Sequence, residues 1–328
     1  DQAMDGEDTF EWPVEPVYDD NRGDGLAASR AIVLGEAVLR VAPVVAVPYS
    51  TSGDVRCATC LGVLDRDGGS QRCAGCGMAV LCSRCSAPGS RGRVLHGDEC
   101  QDWESLAQRD NSAGIGLDPP DIRVVLRLLY AGRREEQGSL PPDITSAELV
   151  RLADNDAIVD ELGSLEDLVA MDSLDLAPGT VQVLVEQAKQ AKLLVSPWAR
   201  ACLDHCLGLV GRLHLNGMEV TETPQGRPAG LPMRGHNRWG QGRTVGVGLY
   251  PSAALLNHSC EPNCRLEFGS DGFLTVRATE DIPSGSELTI TYVDTRESCE
   301  ARRDKLQERY GFECCCRRCR RDLQLFTG

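Results

Sequence analysis

The chain has 328 residues, a formal net charge of -15, 41% hydrophobic residues and 5% aromatics. That length and apolar content support a real core in one large domain or two or three small ones. The acidic balance argues against a general nucleic-acid binder, which needs a basic footprint, and suits a basic partner such as a lysine-rich peptide, although a solvated acidic surface gives the same charge.

No apolar run approaches membrane-spanning length, and no signal peptide is visible. Eight of the 16 cysteines fall in Cys-x-x-Cys pairs, with a histidine in series. In a secreted protein they would suggest disulfides; in this pattern they read as metal ligands in a reducing compartment, cytoplasm or nucleus.

Residues 1–20 are acidic and irregular and are expected to form a flexible lead-in. Arg22-Gly23-Asp24-Gly25 follows, then an apolar stretch over 31–43 that reads as two short strands around a Leu-Gly-Glu turn. A Gly-x-Gly element lets backbone approach a ligand closely, and it also suits a plain turn. No helix pattern follows it, so it is not a dinucleotide fingerprint.

Residues 57–100 read as a compact metal module, with Cys57-x2-Cys60, Cys73-x2-Cys76, Cys82-x2-Cys85 and His96-x3-Cys100. Seven thiols and one imidazole fill two tetrahedral zinc sites with no open position, which is the pattern of structural metal. A segment this poor in core residues needs its metals to fold.

Residues 101–210 read mostly as helix, including 121–130 after Pro119-Pro120, 180–194 and 197–213. Cys202, His205 and Cys206 have helical spacing and read as a packed face rather than a site. Residues 220–246 are rich in Gly, Pro and Arg and read as a loop, either covering a groove or forming an insertion.

The apolar run 248–256 then gives way to Asn257-His258-Ser259-Cys260-Glu261-Pro262-Asn263-Cys264. Asn and His are poor core residues unless paired, so the switch suggests a polar site on a buried support. A hairpin is expected from 264–268 and 272–278, then a turn and a β-rich run ending at Tyr292. A charged helix is expected over 295–309, followed by Cys314-x-Cys316-x2-Cys319. Three thiolates are one short of a closed zinc site, and Cys260 is the natural fourth.

Together these motifs resemble the SET-and-MYND lysine methyltransferases (the SMYD family). The resemblance rests on Asn-Arg-Gly-Asp-Gly-Leu, Gly-Val-Gly-Leu-Tyr-Pro-Ser, Leu-Leu-Asn-His-Ser-Cys-Glu-Pro-Asn-Cys and the Cys-x-Cys-x2-Cys tail, in that order, around a zinc module that resembles a MYND finger. It implies an α+β SET-domain β fold with a knot-like C-terminal passage. Its parts would be a SET N-terminal portion (21–56), a MYND finger (57–100), a helical linker and insert (101–215), a SET core (216–294) and a zinc-binding post-SET tail (295–328).

It implies interleaved zinc ligands, Cys57, Cys60, Cys82 and Cys85 on one ion and Cys73, Cys76, His96 and Cys100 on the other. Two departures are that the third cysteine pair usually has one more residue between its members, and that the gap from Cys85 to His96 is long. Cys260, Cys314, Cys316 and Cys319 would hold a third zinc. S-adenosylmethionine would meet Arg22, Gly23, Asp24, Gly25, Asn216, Asn257, His258, Tyr292 and Phe312. Tyr292 and Tyr310 would line the lysine channel as the catalytic pair. Asp24 stands where an uncharged or basic residue is more usual.

The implied partners are a lysine-containing protein substrate, histone or not, and a proline-rich peptide at the finger, with no direct nucleic acid and no membrane. The chain is expected to be a monomer. It stops soon after Cys319, so the expected form lacks the C-terminal helical-repeat domain of larger members. Two other readings compete: a non-enzymatic scaffold centred on the finger, and a zinc-finger DNA regulator using Arg91, Arg93 and the tail arginines.

Overall fold

The computed structural model of the protein describes residues 12–20, 22–49, 56–64, 69–77, 79–90, 92–100, 123, 124, 127, 130, 216–222, 243–269 and 272–326. Most of the helical reading over 101–215, the Cys202, His205 and Cys206 trio, Arg91, and all but the ends of the loop over 220–246 lie outside the described residues.

The expected lead-in is corrected at its C-terminal end. Val14–Asp19 (β1) pairs antiparallel with Gly23–Ala28 (β2), from Val14 opposite Ala28 to Asp19 opposite Gly23. β1 is nearly all exposed, so burial never imposes an alternating apolar pattern on it. The Gly-x-Gly element is therefore the start of a strand, and Gly23 has φ +70° as the chain leaves the turn. The second correction concerns 31–43. Ile32 makes only an isolated bridge to Ile282, and one strand follows, Ala37–Val41 (β3).

The core is built by two three-stranded sheets. In the first, Val45–Pro48 (β4) pairs with Arg243–Leu249 (β8), which pairs with Gly217–Glu222 (β7), all antiparallel. In the second, the expected hairpin forms from Cys264–Phe268 (β10) and Leu274–Ala278 (β11), and β3 adds to its far edge. Leu266, Leu274 and Val276 are fully buried between them. Each such side chain contributes roughly 1.5–3 kcal/mol.

The zinc module contains Gln71–Arg72 (β5), Val80–Leu81 (β6), Ser83–Ser86 (α1) and a helix over 92–100 (α2). Pro251–Ala254 (α3) starts on a proline, whose fixed φ suits a first helical turn. Tyr250, Ala253 and Leu256 anchor this segment in the core. Asn257–His258 (β9) then pairs in parallel with Thr289–Ile290 (β12). Of the β-rich run expected to end at Tyr292, only this two-residue strand forms.

The tail carries Cys299–Tyr310 (α4) and Arg317–Phe326 (α5). The Ser298 hydroxyl accepts from the Ala301 N–H at 3.2 Å and caps α4. Gly311, at φ +71°, ends it in the left-handed conformation that an L side chain resists. That turn sends Phe312 back against Tyr310 and Tyr292, and Cys314 and Cys319 against Cys260.

Candidate active site and metal centres

The polar stretch after Leu256 faces a cavity of about 620 Å³. Arg22, Gly23, Asp24, Asn216, Asn257, His258, Tyr292, Tyr310 and Phe312 all line it. Gly25, expected among them, is buried behind the wall. A Cβ there would stand 2.9 Å from Asn257 Nδ2, so the glycine lets β2 and β9 approach.

One network holds this wall. Arg22 pairs with the Glu287 carboxylate, and its Nη2 donates to the His258 carbonyl at 3.0 Å. Asn257 Nδ2 donates to the Asp24 carbonyl at 3.1 Å and to Glu287 Oε1 at 3.0 Å. Glu287 thus joins β2 to β9, and sequence reasoning missed it. Its signal was a lone carboxylate before an apolar strand, and only the fold gives that residue its two partners.

An aromatic cluster lines the other side. The Tyr292 and Tyr310 ring centroids are 4.9 Å apart, and His258 lies 5.3 Å from Tyr292 and 6.2 Å from Phe312. The Tyr292 hydroxyl donates to the Leu256 carbonyl at 2.6 Å. Its proton is therefore engaged, and its lone pairs remain able to accept. Burial raises the phenol well above the usual tyrosine range, so it stays protonated. Burial also pushes the His258 imidazole down to about 4, so it stands neutral near pH 7. The Tyr292 N–H donates to His258 Nδ1 at 2.9 Å, and His258 Nε2 lies 3.3 Å from Cys260 Sγ.

Three donor groups converge, two in the zinc module and one at the edge of the cavity, which Cys314 and Cys316 also line: Cys57, Cys60, Cys82 and Cys85; Cys73, Cys76, His96 and Cys100; and Cys260, Cys314, Cys316 and Cys319. Within each group all ligand atoms lie within 4.8 Å of one another. A tetrahedral zinc with bonds of about 2.3 Å separates its sulfurs by roughly 3.8 Å. The Cys60–Cys82, Cys73–Cys100, Cys260–Cys319 and Cys260–Cys314 sulfurs are 3.8, 3.5, 3.6 and 4.0 Å apart. All three groups fit tetrahedral zinc, each with four protein donors and no ligand position left open.

The supports of these centres were not evident in the sequence. His96 presents Nε2 toward Cys76 at 3.7 Å, while Nδ1 lies 3.3 Å from Glu99 Oε1, the carboxylate–histidine arrangement that orients a metal ligand. Glu99 is fully buried. Burial alone would raise its carboxyl, but Arg127 and Arg123 beside it, with the His96 hydrogen bond, hold it down to about 2. Arg127, also fully buried, donates onward to the Ala46 and Ala58 carbonyls and ties α2 to β4. At the third centre, buried Arg302 donates Nε to Cys260 Sγ at 3.3 Å and Nη2 to Asp322 at 2.8 Å.

The SET domain family profile matches residues 23–293, most of the chain. Human histone-lysine N-methyltransferase SMYD3 is 51% identical over 87 residues, 26% of this chain and 20% of that protein. Histone-lysine N-methyltransferase ASHR1 of Arabidopsis thaliana is 26% identical over 299 residues, 91% of this chain and 53% of that protein. A SET and MYND domain-containing protein of Dictyostelium discoideum is 40% identical over 78 residues, 24% of this chain and 23% of that protein. The chain thus spans about half, or less, of the length of these curated relatives. With a SET profile across most of its length, relatives of the SET-and-MYND kind and three four-donor zinc-type centres, the chain belongs to the SET domain family, in its SET-and-MYND branch.

Proposed function

We propose that this chain is an S-adenosylmethionine-dependent protein-lysine N-methyltransferase acting on a histone or another protein. The observation that carries the reading is the convergence of Arg22, Asn257, His258, Tyr292, Tyr310 and Phe312 on one cavity. At about 620 Å³ its volume is within the range of small-molecule sites.

S-adenosylmethionine, when bound, supplies a methyl group already activated on a sulfonium. The chain then has to bind, orient and exclude water. Phe312 offers a face for the adenine ring. Arg22 and Asn257, braced by Glu287, frame the polar end of the wall. Tyr292 and Tyr310 form the walls of a narrow aromatic channel, where desolvation favours the neutral lysine amine needed for attack. In-line approach at near-attack distance is the main requirement of the step. The Tyr292 hydroxyl, its proton held by Leu256, can accept a weak C–H···O contact from the polarised methyl group. Aromatic rings also tolerate the methylated cation that results.

The same proposal includes three structural zinc ions on the twelve residues of the clusters, the knot-like passage of the C-terminal segment and the domain boundaries given above, with β1 joined to the SET N-terminal portion. A proline-containing peptide on the finger, a monomeric state and a cytoplasmic or nuclear location complete it. Methyl transfer to lysine-rich proteins, read by mass spectrometry, tests the reaction. Tyr292→Phe is expected to lower turnover by about 100-fold with cofactor binding largely kept. Undiminished turnover in Tyr292→Phe would overturn its role, and no transfer by zinc-loaded wild type to a broad substrate panel would overturn the reaction.

A further inference from the structure

His258 stands between two groups that the proposed function treats separately, the catalytic tyrosine and the third metal centre. Its Nδ1 accepts the Tyr292 backbone N–H at 2.9 Å. An Nδ1 that accepts carries no proton, so in a neutral ring the proton is on Nε2. Nε2 lies 3.3 Å from Cys260 Sγ, so the ring donates to that sulfur. The same sulfur receives Arg302 Nε at 3.3 Å. A metal-bound thiolate is the natural acceptor for two such donors. A free thiol here would carry its own proton and be a weak acceptor.

The ring is 4% exposed and sits against Tyr292 and Phe312, which leaves little room for other orientations. On the far side of this link, the Tyr292 hydroxyl is pinned to Leu256, in the residue just before Asn257. The tyrosine is thus fixed at its backbone by His258 and at its tip by the segment that carries His258.

We propose that the third metal centre positions Tyr292: the metal-bound Cys260 thiolate fixes the tautomer and plane of His258, and His258 fixes the backbone of Tyr292. This rests on the methyltransferase reading for its consequence in turnover, but the contact itself can be decided without activity. His258 is in this role a positioning residue, and the tail centre does more than close the fold.

The test uses the full chain loaded with cadmium-113 and labelled with nitrogen-15 at histidine and tyrosine. The chain has five histidines, so His258 can be assigned with one variant. The expected spectrum has the His258 proton on Nε2, coupled through the hydrogen bond to cadmium. The Tyr292 amide is expected to be protected from exchange, and to lose protection when chelation empties the tail centre. A His258 proton on Nδ1, no coupling to cadmium, or a Tyr292 amide indifferent to the metal would each overturn the proposal.

Two variants then separate the arms. Asn at 258 can offer an oxygen near the Nδ1 position but cannot reach Cys260. Gln can offer a donor near the Nε2 position but not the acceptor for Tyr292. His258→Asn is expected to release the metal faster, with the Tyr292 amide still partly protected. His258→Gln is expected to keep the metal and lower kcat by about 10- to 100-fold, with a smaller change in KM. Equal losses in kcat and metal for both variants would mark His258 as merely structural. If wild type transfers no methyl group, the methyltransferase reading falls, while the resonance pattern still decides whether the metal centre holds Tyr292.

Discussion

Gly272 has φ +83°, and a Cβ built on it would lie 1.8 Å from the Cys60 carbonyl oxygen. That oxygen is backbone in the first zinc centre, so no side chain can move aside. Tyr250, fully buried, donates its hydroxyl to the Gly272 carbonyl at 2.9 Å, which fixes the hairpin tip from the other side. Gly272→Ala is therefore expected to destabilise the protein by about 3 kcal/mol or more. Thermal unfolding of the zinc-loaded variant checks this. Glu287 belongs to the same scale. Glu287→Gln keeps an acceptor for Asn257 but removes the charge beside Arg22, and cofactor affinity is expected to fall by about 5- to 20-fold. Calorimetry reads that loss, and unchanged affinity would separate the Arg22–Glu287 pair from cofactor binding.

Among the elements, α2 is tied to the SET sheet by a buried ion pair that a hydrogen bond extends. Arg127 reaches Glu99 in α2 and the Ala46 carbonyl in β4, and all three residues are buried. Removing Arg127 leaves the buried Glu99 carboxylate with only Arg123 at 3.6 Å and His96 at 3.3 Å, so Arg127→Met is expected to cost about 3 kcal/mol. The double variant with Glu99→Gln is expected to recover part of that loss, as measured by denaturant unfolding. On the outer face of the β10–β11 hairpin, Glu267 lies between Arg265 and Arg277. Partial burial would raise its carboxyl, but hydrogen bonds from Arg277 and Arg265 outweigh it and the folded value lies below the usual one. Its contribution is full above the unfolded glutamate value of about 4.3 and is lost as pH falls through the lowered folded value. Unfolding midpoints followed from pH 6 downward should fall less steeply in Glu267→Gln than in wild type.

These elements also mark what could be read from residues alone. The metal ligands were legible because chemistry fixes both residue type and spacing, and the helix over Cys299–Tyr310 because a charged run over 295–309 suits a solvated helix; its caps, Ser298 and Gly311, came only with the structure. β1 was not, because its residues are exposed and include Pro16, so it carries no alternating pattern. Glu287, Glu99 and Arg302 were not, because their partners lie 30, 28 and 42 residues away at Asn257, Arg127 and Cys260. A charged residue buried by tertiary packing looks the same in sequence as one on the surface.

At the scale of the molecule, the metal centres and the cavity form one system. The finger docks on the core through Gly272 and Arg127, and the tail centre backs the cavity through His258 and Phe312. Stripping zinc from the whole protein is therefore expected to abolish cofactor binding as well as to unfold the finger and tail. The measurement that tests the central claim most directly is calorimetric titration of the zinc-loaded chain with S-adenosylmethionine, beside Phe312→Ala. Stoichiometric binding, weakened by about 10-fold or more in the variant, is expected if Phe312 holds the adenine ring. No binding by folded, zinc-loaded wild type, or equal binding by both proteins, would contradict the assignment of this cavity.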